Sequence, residues 1–465
     1  VALAAAPSAP APAPVSVPAA SASGAPHVLL AAARRVPRLD RLLLLPLLVT
    51  VLLVALPIGR SGEPGTVAPA DIASGLLVLA CLARVLALRA RPLTVTGAVV
   101  LALPVAGFAV ATVTAADPGA ALPGLVRYLQ VFVLVPGAVL LVLRDAWAFR
   151  LVTVSMVAVA LVQGAVGTYQ YATGTGASYM GQDIRAVGTF GPTDVMGMAT
   201  VVSYGLLAAL ALALRTPPGS PAWLRPGAFA AAGALVVPLG LSFSRGSWIA
   251  TAAAALAILL LSGLRRAARV LAVLAALGVV LVGGLGVGSE MIAQRVSSIT
   301  QVTGTPDRSV TDRYSMWAAA AAMWRDEPAT GVGLKGFPAH RDGHASIGLS
   351  AGSDTAGAGR EFVKQPLLSP HNMYLLILAE QGLIGLTAFL TSWTAILAGA
   401  IRRVLVRRGG GRAAAADCGL AAVGLMLWQT VDFLYADIGG PSTVLTGVIL
   451  GLTAWWALAP RERRP

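Results

Sequence analysis

The sequence predicts an all-α protein that crosses a membrane about twelve times, with one long loop outside the bilayer. Three observations carry that expectation. Hydrophobic residues make up 57% of the chain and charged residues 12%, at a mean hydropathy of +0.78, which no ordinary soluble domain of this length reaches. Apolar runs of near-spanning length recur along the chain. Its arginines gather in alternate short connections between those runs, the bias that marks the cytoplasmic side.

Residues 1–37 are rich in Ala, Pro and Ser with few apolar anchors, so they read as a disordered cytoplasmic tail. Arg34, Arg35, Arg38 and Arg41 hold the start of the first run, Leu39 to Ile58, inside. That run is longer than the apolar core of a cleavable signal and many others follow it. They lie at about 70–88, 93–114, 125–143, 151–171, 194–214, 227–244, 247–263, 270–288, 371–399, 413–434 and 441–459. The expected organisation is thus transmembrane helices 1–9 over 38–288, an extracytoplasmic loop domain over 289–370, helices 10–12 over 371–459, and a cytoplasmic tail over 460–465.

The charge pattern supports this alternation. One set of connections carries Arg84, Arg89, Arg91, Arg144, Arg150, Arg215, Arg225, Arg265, Arg266, Arg269, Arg402, Arg403, Arg407, Arg408 and Arg412, and the C-terminus adds Arg461, Arg463 and Arg464. The opposite connections, 59–69, 115–124 and 435–440, contain only Arg60. Both termini are therefore expected in the cytoplasm, in a multi-pass protein of the cytoplasmic membrane. The same pattern accounts for the net charge of +14 without a nucleic-acid partner. Cys81 and Cys418 sit in separate apolar runs and read as inert core thiols. There is no P-loop, dinucleotide fingerprint or zinc-protease motif, so the chain is not expected to supply energy from nucleotide hydrolysis, and no cofactor is expected.

Basic residues outside the membrane are not explained by topology. They are Arg127, Arg185, Arg245 and those of the long loop. Arg185 precedes an outward helix start where Thr193 or Asp194 can cap. Arg245 lies between two apolar runs that leave almost no loop. An arginine there is costly unless it meets an anion or a wet cavity; the alternative is snorkelling to lipid phosphate, or pairing with Glu380 or Asp432. In the loop, a helix is expected over Thr311 to Arg325, capped by Thr311 or Asp312, with Trp317, Met323 and Trp324 as anchors. The turn Gly331 to Phe337 ends it, and Ser346 to Gly359, rich in Gly, Ser and Ala, reads as a mobile flap. Arg313 is the stronger binding candidate of the loop; Asp307 with Arg308 reads as a surface ion pair. His340 and His344, spaced i and i+4, lack a third ligand for zinc.

His371 stands at the mouth of the tenth run. Pro370 suits a helix edge. On a straight helix, Gly382 and Gly385 fall within about 40° of the direction of His371, and Glu380 points roughly the other way. Two glycines beneath a histidine let a neighbouring helix approach, so the imidazole can line a cleft. Arginine suits phosphate through its planar fork, and a histidine beside several arginines suits a general base for a sugar hydroxyl. The bland reading is a helix-mouth residue bonded to a carbonyl.

These residues resemble the O-antigen ligase and O-antigen polymerase superfamily of polytopic lipid-linked glycan transferases. His371-Asn372, nine residues, then Gly382-Leu383-Ile384-Gly385 is similar to that family's signature, with Leu386 where ligases often carry threonine. Trp317 to Met323, Pro328, Gly331-Val332-Gly333 and Phe337 resemble its lead-in, and Arg185 with Gly188-Thr189-Phe190 and Ser244-Arg245-Gly246 resemble its two arginine motifs. The resemblance implies a GT-C-like fold and an inverting, metal-independent glycosyltransferase. In it, His371 deprotonates the acceptor, while Arg185, Arg245 and Arg313 bind the diphosphate of a polyprenyl-diphosphate-linked glycan donor. Asn372, Tyr374, Glu380 and Arg127 are the supporting candidates, and the acceptor is a glycan, lipid or protein. A lipid-linked glycan flippase or exporter and a non-catalytic envelope scaffold are the readings from other classes. A transporter would show two related halves, and none is visible in the sequence.

Overall fold

The computed structural model describes residues 41–56, 68–88, 93–179, 184–191, 194, 196–278, 308–345, 349, 353–357, 360–365, 367–408, 415–440 and 442–458. The N-terminal tail, Arg60, Thr193, Asp307, most of the flap and the C-terminal arginines lie outside them. Each expected run contains a helix. These are α1 (Leu44–Leu53), α2 (Pro69–Leu88), α3 (Val95–Val113), α4 (Pro118–Leu129) continuing through a π-helical turn (Gln130–Leu134) into α5 (Val135–Val142), and α6 (Ala146–Thr173). Then come α7 (Gly197–Leu214), α8 (Leu224–Leu241), α9 (Arg245–Ser262) and α10 (Leu264–Gly278). The long loop contributes α11 (Arg308–Asp326) and α12 (Phe337–His344), and the chain closes with α13 (Met373–Arg408), α14 (Ala416–Asp432) and α15 (Thr443–Leu458).

Among the described residues, eight helices are long and apolar enough to cross a membrane, with α4 and α5 counting as one span; α1 and α15 are shorter apolar helices. The protein is a polytopic helical membrane protein. Its outer helices turn leucine and valine outward, as at Leu76, Leu79, Val99, Val236 and Val237, which only lipid makes favourable. Within α7, by contrast, 83% of the apolar window is buried against 22% in α2. That helix is the centre of the bundle, packed by α6, α8, α9 and α14.

Local signals set the helix ends. Asp117 accepts from Gly119 N–H at 2.8 Å with Pro118 as the first helical residue, Asp145 accepts from Ala148 N–H at 2.8 Å, and Ser244 accepts from Ser247 N–H at 3.3 Å. Each satisfies a donor that the first turn of a helix leaves open. Two expected caps are not used. Thr311 and Asp312 lie inside α11, because Arg308-Ser309-Val310 contains no breaker and the helix extends upstream through it.

The straight helix expected after His371 is also corrected. α13 breaks at Gly382, where φ is 61° and ψ is −161°. The segment before α12 stitches the break: Leu383 N–H donates to Pro328 O at 2.9 Å, Ile384 N–H to Ala329 O at 3.2 Å, and Val332 N–H to Ala379 O at 2.9 Å. A Cβ on Gly382 would lie 2.3 Å from Ala329 O, and one on Gly331 would lie 2.5 Å from Ala379 O. The two glycine motifs are therefore halves of one interlock.

The all-α expectation needs one addition. A three-stranded antiparallel sheet joins β1 (Ala177–Tyr179), β2 (Ser353–Gly357) and β3 (Arg360–Gln365), with Ser178 opposite Ala356 and Thr355 opposite Val363. Part of the expected flap is thus a paired strand. The described part of the long loop shares its core with the bundle: Met316, Met323, Leu334 and Phe337 pack in one cluster with Phe108, Tyr128, Phe389 and Phe433.

The arginine-rich connections meet at one end of the bundle. There Arg150 grips Asp417 through Nε at 2.6 Å and Nη2 at 2.9 Å, Arg215 donates to Ser262 O at 2.8 Å, and Arg403 donates to Trp456 O at 2.5 Å. The loops bearing Arg185, Arg245 and His371 meet at the other end.

Candidate active site

The candidate site is assembled around the loop 433–440, between α14 and α15. Phe433 anchors it on an aromatic stack, with Trp393 at 5.3 Å and Phe389 at 6.4 Å between ring centroids. Four helices start beside this loop. Met373 N–H, at the start of α13, donates to Phe433 O at 2.9 Å and Ala436 O at 3.0 Å. Gly246, in the first turn of α9, lies so close to Tyr435 that a Cβ would be 3.1 Å from the tyrosine Cβ. Ahead of α7, Asp194 accepts at its main-chain O from Gly197 N–H at 3.1 Å and its carboxylate lies against the loop, where a Cβ on Gly440 would be 2.5 Å from Oδ2; α15 begins at Thr443, three residues after Gly440. Helix N-termini carry partial positive charge and free N–H groups, so their convergence with arginines favours an anionic ligand.

His371 is placed by this framework. Asn372 caps α13, accepting from Leu375 N–H at 3.0 Å, and donates through Nδ2 to Leu434 O at 3.1 Å. Tyr374 donates its hydroxyl proton to Thr430 O at 2.7 Å, and Trp317 donates its indole N–H to Pro370 O at 2.9 Å. Pinned on both sides, His371 takes φ 49°, a left-handed conformation that costs on the order of 1 kcal/mol in a residue with a Cβ. Its side chain is exposed, yet surrounding protein desolvates it enough to hold its pKa below 6.5.

Burial is the first cause of that shift. Two charges then oppose each other: Asp437 raises the pKa and Arg313 lowers it. Arg313 also lies within Coulombic reach of Asp432. The structure thus brings His371, Arg313, Asp432 and Asp437 together. Among the described residues Asp432 Oδ1 and Asp437 Oδ2 accept no hydrogen bond, which leaves acceptor capacity at the mouth of α13.

Arg185 and Arg245 belong to loops joined to each other. Arg185 pairs with Ala177 as a β-bridge, N to O at 2.7 Å, and Ala186 N–H donates to Leu241 O at 3.0 Å at the end of α8, four residues before Arg245. Gln170 accepts from Val187 and Gly188 N–H at 3.1 and 2.9 Å, and Gln163 accepts from Thr189 N–H at 2.9 Å, fixing the turn that follows Arg185. Arg245 is exposed at the first turn of α9. The start of α9 reaches the 433–440 loop through Gly246 and Tyr435, and Asp194, nine residues after Arg185, lies against Gly440 of the same loop.

Two supporting candidates have structural partners instead. Arg127 pairs with Asp71 and donates to Gln130 Oε1 at 3.1 Å and Gly440 O at 3.4 Å, bracing the far side of the 433–440 loop. Glu380 accepts from Phe337 N–H at 3.3 Å and faces Lys335, so it holds the glycine turn of the interlock. His340 and His344 share α12, but His344 Nε2 meets Asp326 at 2.8 Å and His340 Nδ1 meets Gly336 O at 2.9 Å. Among the described residues no group of three His, Cys, Asp or Glu side chains is placed to hold a metal.

Sequence reasoning missed Asp437 and gave Asp432 only a bland role. The signal was present: Asp432 and Asp437 are two acids at the end of one apolar run and in the short connection after it, in a chain with 20 acidic residues. The cost argument applied to outward arginines applies equally to them.

No curated protein sequence matches the chain. Residues 229–390 match the family model described as O-Antigen ligase. The matched range contains Arg245, Arg313, His371 and both halves of the glycine interlock; Arg185, Asp432 and Asp437 lie outside it. Over residues 229–390 the chain is similar to that family's domain, which supports assignment to the O-antigen ligase superfamily.

Proposed function

We propose that the protein transfers a glycan from a polyprenyl-diphosphate carrier to an acceptor hydroxyl on the extracytoplasmic face of the membrane, as a GT-C-type enzyme with both termini and the arginine-rich end in the cytoplasm. The observation that carries this reading is His371 beside Arg313, inside the matched domain, at the end of the bundle where four helix N-termini meet. A ring nitrogen of neutral His371 takes the acceptor proton. The acceptor oxygen forms a bond to the anomeric carbon from the face opposite the diphosphate, and the carbon–oxygen bond to the diphosphate breaks with its electron pair. The product is inverted at that carbon, and the charge left on the diphosphate falls to Arg185, Arg245 and Arg313. Guanidinium groups aimed at developing charge supply what is usually the largest catalytic term.

Arg313 has a second effect in this scheme. Burial is what chiefly holds His371 neutral, and the Arg313 charge adds to it against Asp437. Once diphosphate offsets that charge, Asp437 is left to favour the imidazolium, so donor binding strengthens the base. The site needs neither nucleotide nor metal for these steps, and turnover is expected to persist in chelator; a strict requirement for added divalent ion would remove the metal-free scheme.

The test is reconstitution. Purified protein in lipid nanodiscs is given a polyprenyl-diphosphate oligosaccharide and candidate acceptors. Transfer by the wild type and its loss in a folded, inserted His371→Ala variant is the expected result. Undiminished transfer by that variant would take the base assignment away. Arg245→Lys keeps the charge and loses the fork, so turnover should fall at least tenfold, as on the order of 1.4 kcal/mol of transition-state binding would give.

A further inference from the structure

An exposed aromatic ring on α11 is linked through one side chain to the backbone that precedes the candidate base, without a role in the chemistry above. Tyr314 on α11 is 54% exposed. It meets Trp317 edge-on, with centroids 5.7 Å apart and planes at 86°. Trp317 is in turn fixed to the backbone next to His371 through its indole bond to Pro370 O. The neighbour on the other side of Tyr314 in sequence is Arg313, whose charge reaches His371. An aromatic platform is thus built onto the wall that positions the base.

Packing does not explain the ring. The buried line of α11 is Asp312, Met316, Ala319, Ala320 and Met323, and on a helix turning about 100° per residue Tyr314 projects away from it. Lipid contact does not explain it either. The exposed side of α11 carries Thr311, Ala318 and Arg325 around the tyrosine, whereas a face dipped into a bilayer carries a continuous apolar surface. What suits a single ring among polar and small neighbours is a ligand that is polar at its rim and apolar on its face. A pyranose is such a ligand. Its axial C–H groups form a flat apolar patch that fits the electron-rich face of an aromatic ring, while its hydroxyls stay at the edge in water or on polar groups.

We propose that Tyr314, backed by Trp317, is the platform on which the acceptor's pyranose ring stacks, so that an acceptor hydroxyl is presented to His371. The inference rests on the reading of His371 as the base and adds that the acceptor is itself a sugar. It also separates the two substrates: diphosphate on the arginine loops, acceptor ring on α11.

Two measurements test it. In the transfer assay, Tyr314→Ala should raise the acceptor KM about fivefold, as the loss of one aromatic contact would, with the donor KM and saturating kcat within about twofold of wild type. Tyr314→Phe should restore the acceptor KM, and Tyr314→Leu, apolar without a ring face, should not. An unchanged acceptor KM in Tyr314→Ala overturns the platform while leaving the transferase reading intact. The second measurement needs no turnover: saturation-transfer NMR on nanodisc-held protein with methyl β-glucopyranoside, methyl β-galactopyranoside and open-chain sorbitol. Signal on the ring C–H protons of the glycosides, absent for sorbitol, lost in Tyr314→Ala and kept in Tyr314→Phe, is expected. If that pattern appears and the wild type transfers nothing, the sugar platform stands and the transferase reading falls. Equal signal for sorbitol, or signal indifferent to Tyr314→Ala, overturns the proposal, as does Tyr314→Ala losing saturation transfer from lipid chains instead, which would make the ring a membrane anchor.

Discussion

Arg313 and Asp437 act on His371 with opposite sign, and this makes the base assignment testable without structural work. His371 is active when neutral, and its pKa already lies below 6.5, so the acid limb of the kcat/KM profile should fall below that value. Arg313→Met removes a charge that lowers the pKa, so the limb should move to higher pH. Asp437→Asn removes a charge that raises it, so the limb should move lower. Shifts in the same direction, or none, would mean that another group titrates. The stability contribution has a definite sign as well. With the folded pKa below the unfolded one, it is fully present above about pH 6.5 and is lost as pH falls through the folded pKa. At this scale the sequence was legible where a charge was out of place: Arg185, Arg245 and Arg313 stood out because guanidinium groups at the outer face need an anion or water. It was illegible where the partner comes from 60 or more residues away. Nothing local to Asp437 indicates that Met373 bonds to the adjacent Ala436 carbonyl and brings the carboxylate beside His371.

The glycine interlock is the element on which the site's geometry rests. Two short signatures, one before α12 and one within α13, could be read in the sequence as separate small-residue patterns. A straight helix through the second puts Gly382 and Gly385 within about 40° of the direction of His371. That arithmetic fails because Gly382 is a break rather than a helical contact. Helical periodicity cannot reveal such a break, since the apolar run continues through it and only the bonds from Leu383 and Ile384 to Pro328 and Ala329 expose it. The second glycine did have the anticipated role: Gly385 lies against Gly107 of α3, where a Cβ on Gly107 would fall 2.5 Å from Gly385 Cα. Gly382→Ala therefore combines an unfavourable φ of 61° with a contact 2.3 Å from Ala329 O. The expected destabilisation is about 2–4 kcal/mol, adding backbone strain to overpacking, read as a lower thermal midpoint in detergent. Transfer should fall beyond the loss of folded protein, because the break also sets the entry of α13 and hence His371. A Gly382→Ala protein with unchanged midpoint and turnover would show that the break is incidental.

Across the whole molecule, the distribution of arginine was the most informative sequence feature, and it divides the bundle into two chemically distinct ends. At one end arginines close the structure: Arg150 holds Asp417 in a two-pronged pair, with the carboxylate nearly buried, and Arg403 and Arg407 lie over the Trp456 ring at 5.3 and 4.8 Å. At the other end Arg313 faces His371 and two carboxylates. Removing one partner of the first kind leaves a charge without its counterion, so Asp417→Ala should destabilise the protein by about 3 kcal/mol while altering transfer only through the amount of folded enzyme. The proposed orientation follows from the same division, because a positive excess stays on the cytoplasmic side. The two native cysteines are buried, which permits single-site labelling against a quiet background. In intact cells, a membrane-impermeant maleimide should label Thr311→Cys, on the exposed face of α11, and should reach Ala222→Cys, at the arginine-rich end before α8, only after the membrane is opened. The reverse pattern would place His371 in the cytoplasm, where the proposed extracytoplasmic transfer to an acceptor could not take place.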